Sequence, residues 1–270
     1  MTDQPTVTLN DGREMPQIGQ GVFLVPPEEA RTLVEIGIRA GYRAIDTAAF
    51  YQNESGVGEA VRASNETIFV STKLWNSEQG RDKALAAFDR SFAELGLDWI
   101  DLYLIHWPVP SRDLYLETWR TLVELKEQGR VKSIGVSNFE IAHLERIIGE
   151  TGVVPVTNQI ELHPGLQQNI LVDYHREHGI ATTSWSPLGR GALLQEPLLE
   201  KIAEKHGKTV AQVILRWHLE RGLIIIPKAS SEGRLRENLD LSGFALDQED
   251  MAQIAGLDRD QRVGPHPNSM

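Results

Sequence analysis

The sequence predicts a (β/α)8 barrel, formed as one domain from residues 1–270. Three observations carry that expectation: eight short apolar runs of strand length, helical periodicity after nearly every one, and no linker-like break between them. The runner-up is an open doubly wound sheet, which would place a G-x-G-x-x-G turn after its first strand. The nearest matches start at Gly56 and Gly189 and each lack the third glycine, which weighs against it.

Residues 6–15 read as a hairpin, because Asn10-Asp11-Gly12 lies between two short extended pieces. Residues 18–23 read as the first buried strand, ending near Gly21. A helix over 28–40 follows, with Ala30, Leu33, Val34 and Gly37 on one face. Further strands are expected at 43–46, 68–73, 100–106, 133–137, 156–159, 181–184 and 224–227. Between them, the Asn53 side chain is expected to cap a helix running through Arg62. Leu85, Phe88, Phe92 and Leu95, then Leu116, Trp119 and Val123, recur at turn spacing, and 141–149 and 170–178 continue the series. After the seventh strand a longer connection, 187–197, leads to two helices, 198–206 and 209–220. A last helix, 247–255, precedes a polar tail bearing Pro and Gly.

With 270 residues, 41% of them hydrophobic, the chain can bury a large core. A net charge of -11 and the lack of any dense Lys/Arg block argue against a nucleic-acid partner, so an anionic ligand must meet local positive charge. Cysteine is absent, which excludes disulfides and thiolate metal sites, and no metal is expected. The stretch MTDQPTVTLN lacks the pattern of a signal peptide, and apolar runs such as 223–227 are far too short to span a bilayer. The expectation is a cytoplasmic protein with no membrane partner.

In a barrel, function collects where the strands end. Asp46, Lys73 and His106 end the second, third and fourth strands; Ser137-Asn138, Gln159, Ser184-Trp185 and Lys228 end the fifth to the eighth. Tyr51 follows Asp46 by five positions, close enough to return to the same pocket. Lys73 lies between Phe69-Val70 and Leu74-Trp75, an apolar setting in which an ammonium needs a carboxylate, and Asp46 is the candidate. Singly, each of these residues also fits a plain packing or capping role; together they describe proton chemistry.

Those motifs identify a resemblance. GYRAIDTAAFYQNESGVG, STKLW at 71–75, DLYLIHWP at 101–108, GVSNF at 135–139, NQIELHP at 158–164, WSPLGRG at 185–191 and IPKASSEGRLREN at 226–238 together resemble the aldo-keto reductases, in particular short bacterial members similar to 2,5-diketo-D-gluconate reductases. The resemblance spans almost the whole chain and implies an NADPH-dependent oxidoreductase, a monomer, that reduces small aldehydes, ketoaldehydes or keto sugars.

The catalytic set it implies is Asp46, Tyr51, Lys73 and His106. Tyr51 would protonate the carbonyl oxygen as hydride arrives, Lys73 would lower the phenol's pKa, Asp46 would hold Lys73 charged, and His106 would orient the carbonyl. Ser137, Asn138 and Gln159 match the positions that hold the nicotinamide carboxamide, and Trp185 the one on which that ring stacks. Ser186, Leu188, Gly189 and Gly191 would wrap the pyrophosphate. Lys228 and Arg234 would grip a 2′-phosphate, with Ser230, Ser231, Glu237 and Asn238 around the adenosine, and Gly21 completes the cofactor set. Phe23, Trp75, His106 and Trp107 would wall the substrate pocket.

Three departures qualify what the resemblance implies: Ala44 stands where a His is common, Ala229 where a Ser is common, and the long C-terminal loop of larger relatives is cut short. A wider, less selective pocket is expected. Two competing readings are a barrel that uses bound NADPH as a redox signal with little turnover, and a sugar-phosphate isomerase on the same fold.

Overall fold

The structure, a computed structural model, describes residues 4–270. The hairpin forms from β1 (Thr6–Thr8) and β2 (Glu14–Pro16), antiparallel, with Thr6 opposite Pro16. The eight strands that follow are β3 (Gln20–Gly21), β4 (Ala44–Asp46), β5 (Phe69–Leu74), β6 (Ile100–Ile105), β7 (Val131–Ser137), β8 (Thr157–Glu161), β9 (Ala181–Trp185) and β10 (Ile224–Ile225). They pair in sequence order, every neighbour parallel.

The sheet closes on itself where β10 meets the approach to β3. Gly19 N donates to Ile225 O, Ile225 N to Gln17 O and Gly21 N to Pro227 O. At this seam a Cβ on Gly21 would lie 2.8 Å from the Ile226 carbonyl oxygen, so the glycine is required by closure itself.

Helices lie between the strands: α1 (Pro27–Ala40), α2 (Glu54–Arg62), α3 (Arg81–Leu95), α4 (Tyr115–Glu127), α5 (Ile141–Thr151) and α6 (Asn169–Glu177). After β9 come α7 (Pro197–His206) and α8 (Val210–Glu220), and after β10 come α9 (Glu232–Leu239) and α10 (Gln248–Ala255). Thr209 and Asp247 start α8 and α10 with reciprocal capping boxes. The α9 helix is absent from the sequence expectation: EGRLRENL carries only two apolar residues, Leu235 and Leu239, too few to show a periodicity. Among the described residues no helix is long and apolar enough to cross a membrane.

Strand alternation sorts the side chains. Tyr103 and Ile105 face the helices within the larger core, whereas Ala44, Phe69, Leu102, Leu104, Val156 and Ile224 form a second cluster with Leu9 and Met15 of the hairpin segment. The hairpin thereby covers one end of the barrel interior. Two and four residues beyond Phe69 on the same inward face stand Ser71 and Lys73; two beyond Ala44 stands Asp46, and two beyond Leu104 stands His106. The inward face thus changes from apolar to ionisable as each strand reaches its C-terminal end.

Candidate active site

Lys73 is wholly buried, and Asp46 is 3% exposed. Lys73 Nζ donates to Asp46 Oδ1 at 2.5 Å and to the Thr47 carbonyl at 2.9 Å. An unpaired buried ammonium costs several kcal/mol, so the pair is what makes the buried lysine tolerable. Burial works against its charge, but Asp46 and Tyr51 outweigh that and raise the pKa above the usual lysine value. The other carboxylate oxygen, Asp46 Oδ2, accepts from Ser71 Oγ at 2.7 Å and Gln159 Nε2 at 2.9 Å. With two of its three N–H groups committed, Lys73 has one left for the phenol of Tyr51, whose ring centroid lies 5.1 Å from Nζ.

Tyr51 sits in a 3-10 turn, Ala49–Tyr51, directly after β4. Burial raises its phenol above the ordinary 10.0; Lys73 pulls downward, Asp46 adds to the rise, and the net is upward. The downward pull expected from Lys73 is present, but desolvation is larger and the net direction is upward, not downward.

The turn is fixed by Asn53. The expected side-chain cap is not made. Instead Asn53 Oδ1 accepts from Thr47 Oγ1 at 2.7 Å, and its amide donates to the Val22 and Val25 carbonyls at 3.0 and 3.2 Å. A buried amide satisfies more partners by tying the loops after β3 and β4 together than by capping one helix.

His106 stands edge-on to Tyr51, centroids 5.8 Å apart, and to Trp75 at 5.1 Å. Burial first, then the Lys73 charge, hold its pKa well below 6.5, so the imidazole is neutral. Phe23 packs on Tyr51 at 5.0 Å, and Phe50 stacks on Trp75 at 3.8 Å. Trp107 is mostly buried between His106 and Trp185. Two members of this site escaped sequence reasoning. Ser71 is marked by its position two residues before Lys73, whereas the exposure of Phe50, 49%, has no sequence signal.

The groups expected to hold a nicotinamide form one hydrogen-bonded chain. Trp185 Nε1 donates to Asn138 Oδ1 at 2.8 Å, Asn138 Nδ2 to Ser137 Oγ and to the His106 carbonyl at 3.0 Å each, and Ser137 Oγ to the Gln159 carbonyl at 2.8 Å. Through Gln159 the chain reaches Asp46. Asn138 adopts φ 64, a left-handed conformation that aims its amide back at the barrel mouth.

In the following loop the Gly189 and Gly191 amides donate to the Ser186 and Leu188 carbonyls, so both are engaged within turns. Lys228, Ser230, Ser231 and Arg234 are exposed around the start of α9, which Ser231 caps. Lys228 and Arg234 make no ion pair among the described residues. Glu237 accepts from the Thr209 hydroxyl at 2.7 Å, and Asn238 is buried. Gly21 is likewise buried, at the barrel seam.

A family model described as the aldo/keto reductase family matches residues 17–259. The chain is 48% identical to the Yersinia pestis methylglyoxal reductase DkgA over 272 residues, covering 99% of this chain and 98% of that protein. It is 48% identical to the Bacillus subtilis glyoxal reductase over 269 residues, 98% of this chain and 97% of the relative. A solved structure of a Gox0644 mutant in complex with NADPH superposes with a TM-score of 0.97 at 53% identity, covering 99% of both chains.

Proposed function

The chain belongs to the aldo/keto reductase family, and from that membership we propose that it is an NADPH-dependent reductase of small carbonyl compounds, ketoaldehydes such as methylglyoxal foremost, with Tyr51 as general acid. The observation that carries the reading is the buried Lys73–Asp46 pair beside Tyr51 and a neutral His106.

NADPH fits the residues present. Trp185 offers a ring face, Asn138, Ser137 and Gln159 offer amide and hydroxyl groups, and the residues from Ser186 to Gly191 line a path for the pyrophosphate. Lys228 and Arg234, neither in an ion pair among the described residues, are two exposed cations in a chain of net charge -11, suited to a 2′-phosphate. When bound, the cofactor supplies the hydride that turns the carbonyl carbon into an alcohol carbon.

The protein supplies the rest. His106, being neutral, donates a hydrogen bond to the carbonyl oxygen without bringing a charge that would compete with Lys73. Tyr51, firmly protonated because burial raises its pKa, gives its proton to that oxygen, and Lys73 stabilises the phenolate left behind. Phe23, Phe50, Trp75 and Trp107 exclude water from the reacting carbonyl, with His106 as the polar anchor.

Replacing Tyr51→Phe tests the assignment. Turnover of methylglyoxal is expected to fall by at least about 10²-fold, with NADPH affinity unchanged within about twofold. Wild-type turnover in this variant would remove Tyr51 from the mechanism.

A further inference from the structure

The segment after α10 turns back across the catalytic end of the barrel. The Arg259 and Gln261 amides donate to the Gly165 carbonyl at 3.1 and 3.2 Å, Arg262 donates to Gln168 Oε1 at 3.2 Å, and Asn268 Nδ2 donates to Glu140 at 2.7 Å. Between these anchors lies a tighter one. The Val263 and Gly264 amides donate to Glu161 Oε1 and Oε2 at 2.5 and 3.0 Å.

Glu161 ends β8, is fully buried, and takes no part in the proton chemistry above. His163 Nε2 stands 3.2 Å from its Oε1. Burial opposes its charge, but His163 and the two amides more than offset that, and the carboxyl stays below its usual range.

Gly264 is pressed against Trp185. A Cβ there would fall 2.4 Å from Cη2 and 3.1 Å from Cζ3 of the indole, and 3.0 Å from Glu161 Oε2. Carbon atoms in contact lie about 3.5–4.0 Å apart, so any side chain must either turn the indole or lift the segment. The indole is tied through Nε1 to Asn138, so turning it breaks that bond.

We propose that Glu161 and Gly264 are positioning residues for the cofactor: the buried carboxylate fastens the C-terminal segment through two backbone amides, and the bare Gly264 lets that segment lie flush on Trp185 and set the tilt of its indole. This rests on the reading of Trp185 as the wall of the nicotinamide site. The C-terminal segment is then a working part of the cofactor site.

Two measurements test the two halves separately. Hydrogen exchange on the ligand-free protein is expected to show the Val263 and Gly264 amides protected, and at least about tenfold faster in Glu161→Gln. Unchanged exchange in Glu161→Gln would overturn the fastening. The dissociation constant for NADPH, by calorimetry, is expected to rise about tenfold in both Glu161→Gln and Gly264→Ala. Released amides with wild-type NADPH affinity in both variants would overturn the positioning role. Trp185→Ala judges the premise: wild-type NADPH affinity there overturns the wall assignment and with it the cofactor half, while the exchange result still decides the fastening.

Discussion

Lys73→Met is the sharpest perturbation of the proposed chemistry, since it removes one charge and keeps most of the bulk. The ammonium lies 5.1 Å from the centroid of the Tyr51 ring, and at an effective dielectric constant of about 20 its attraction for a phenolate is about 3 kcal/mol. That is about two pKa units, or about 10²-fold in the stability of the phenolate. Asp46 keeps the hydrogen bonds from Ser71 and Gln159, so its carboxylate is not stranded when the lysine goes.

Two consequences follow for a steady-state assay that monitors NADPH absorbance with methylglyoxal, run alongside the reverse oxidation of the product alcohol. The reduction kcat falls by about 10²-fold at neutral pH. The oxidation, which needs Tyr51 as phenolate, has its rising limb displaced upward by about two pH units. A Lys73→Met enzyme with kcat within about threefold of wild type and an unmoved oxidation limb would refute the role given to the ammonium.

Lys228→Ala combined with Arg234→Ala is expected to erode the preference for NADPH over NADH, read as the ratio of the two kcat/KM values; an unchanged ratio defeats the 2′-phosphate assignment. Acidification should destabilise the fold through buried imidazoles. Burial lowers His175 to about 3 and His218 to about 4, so below about pH 6.5 the unfolded chain binds protons that the folded one refuses. Each imidazole then removes about 1.4 kcal/mol per pH unit, together about 4 kcal/mol by about pH 5. A urea midpoint that does not fall between pH 7 and pH 5 would count against this.

Strand and helix alternation was legible because burial on both faces of a parallel sheet leaves apolar runs that stand out, as in IDLYLI of β6. The ends of elements were less so. β3 and β10 form over two residues each where longer strands are expected, because the closing hydrogen bonds there involve Gln17, Gly19 and Pro227 outside regular pairing. Asp46, Lys73, Tyr51 and His106 were readable as a group, since ionisable side chains gathered at successive strand ends are costly to bury unless they satisfy one another.

The role of Asn53 was not readable. A helix cap and a two-loop tie call for the same amide, and only tertiary placement separates them. Nor did the sequence reveal that Glu161 grips the tail, since the hydrogen bonds join residues about a hundred positions apart.

The seam between β10 and the approach to β3 bears on how the molecule comes into being. Until Ile224 to Pro227 leaves the ribosome, the growing sheet has two raw borders, β3 and β9, and neither has its last partner. Both the rim carrying Phe23 and the platform carrying Trp185 adjoin those borders. The chain therefore has no finished pocket until nearly all of it has been synthesised, and that interval is when the nascent chain most needs protection from strand-to-strand association.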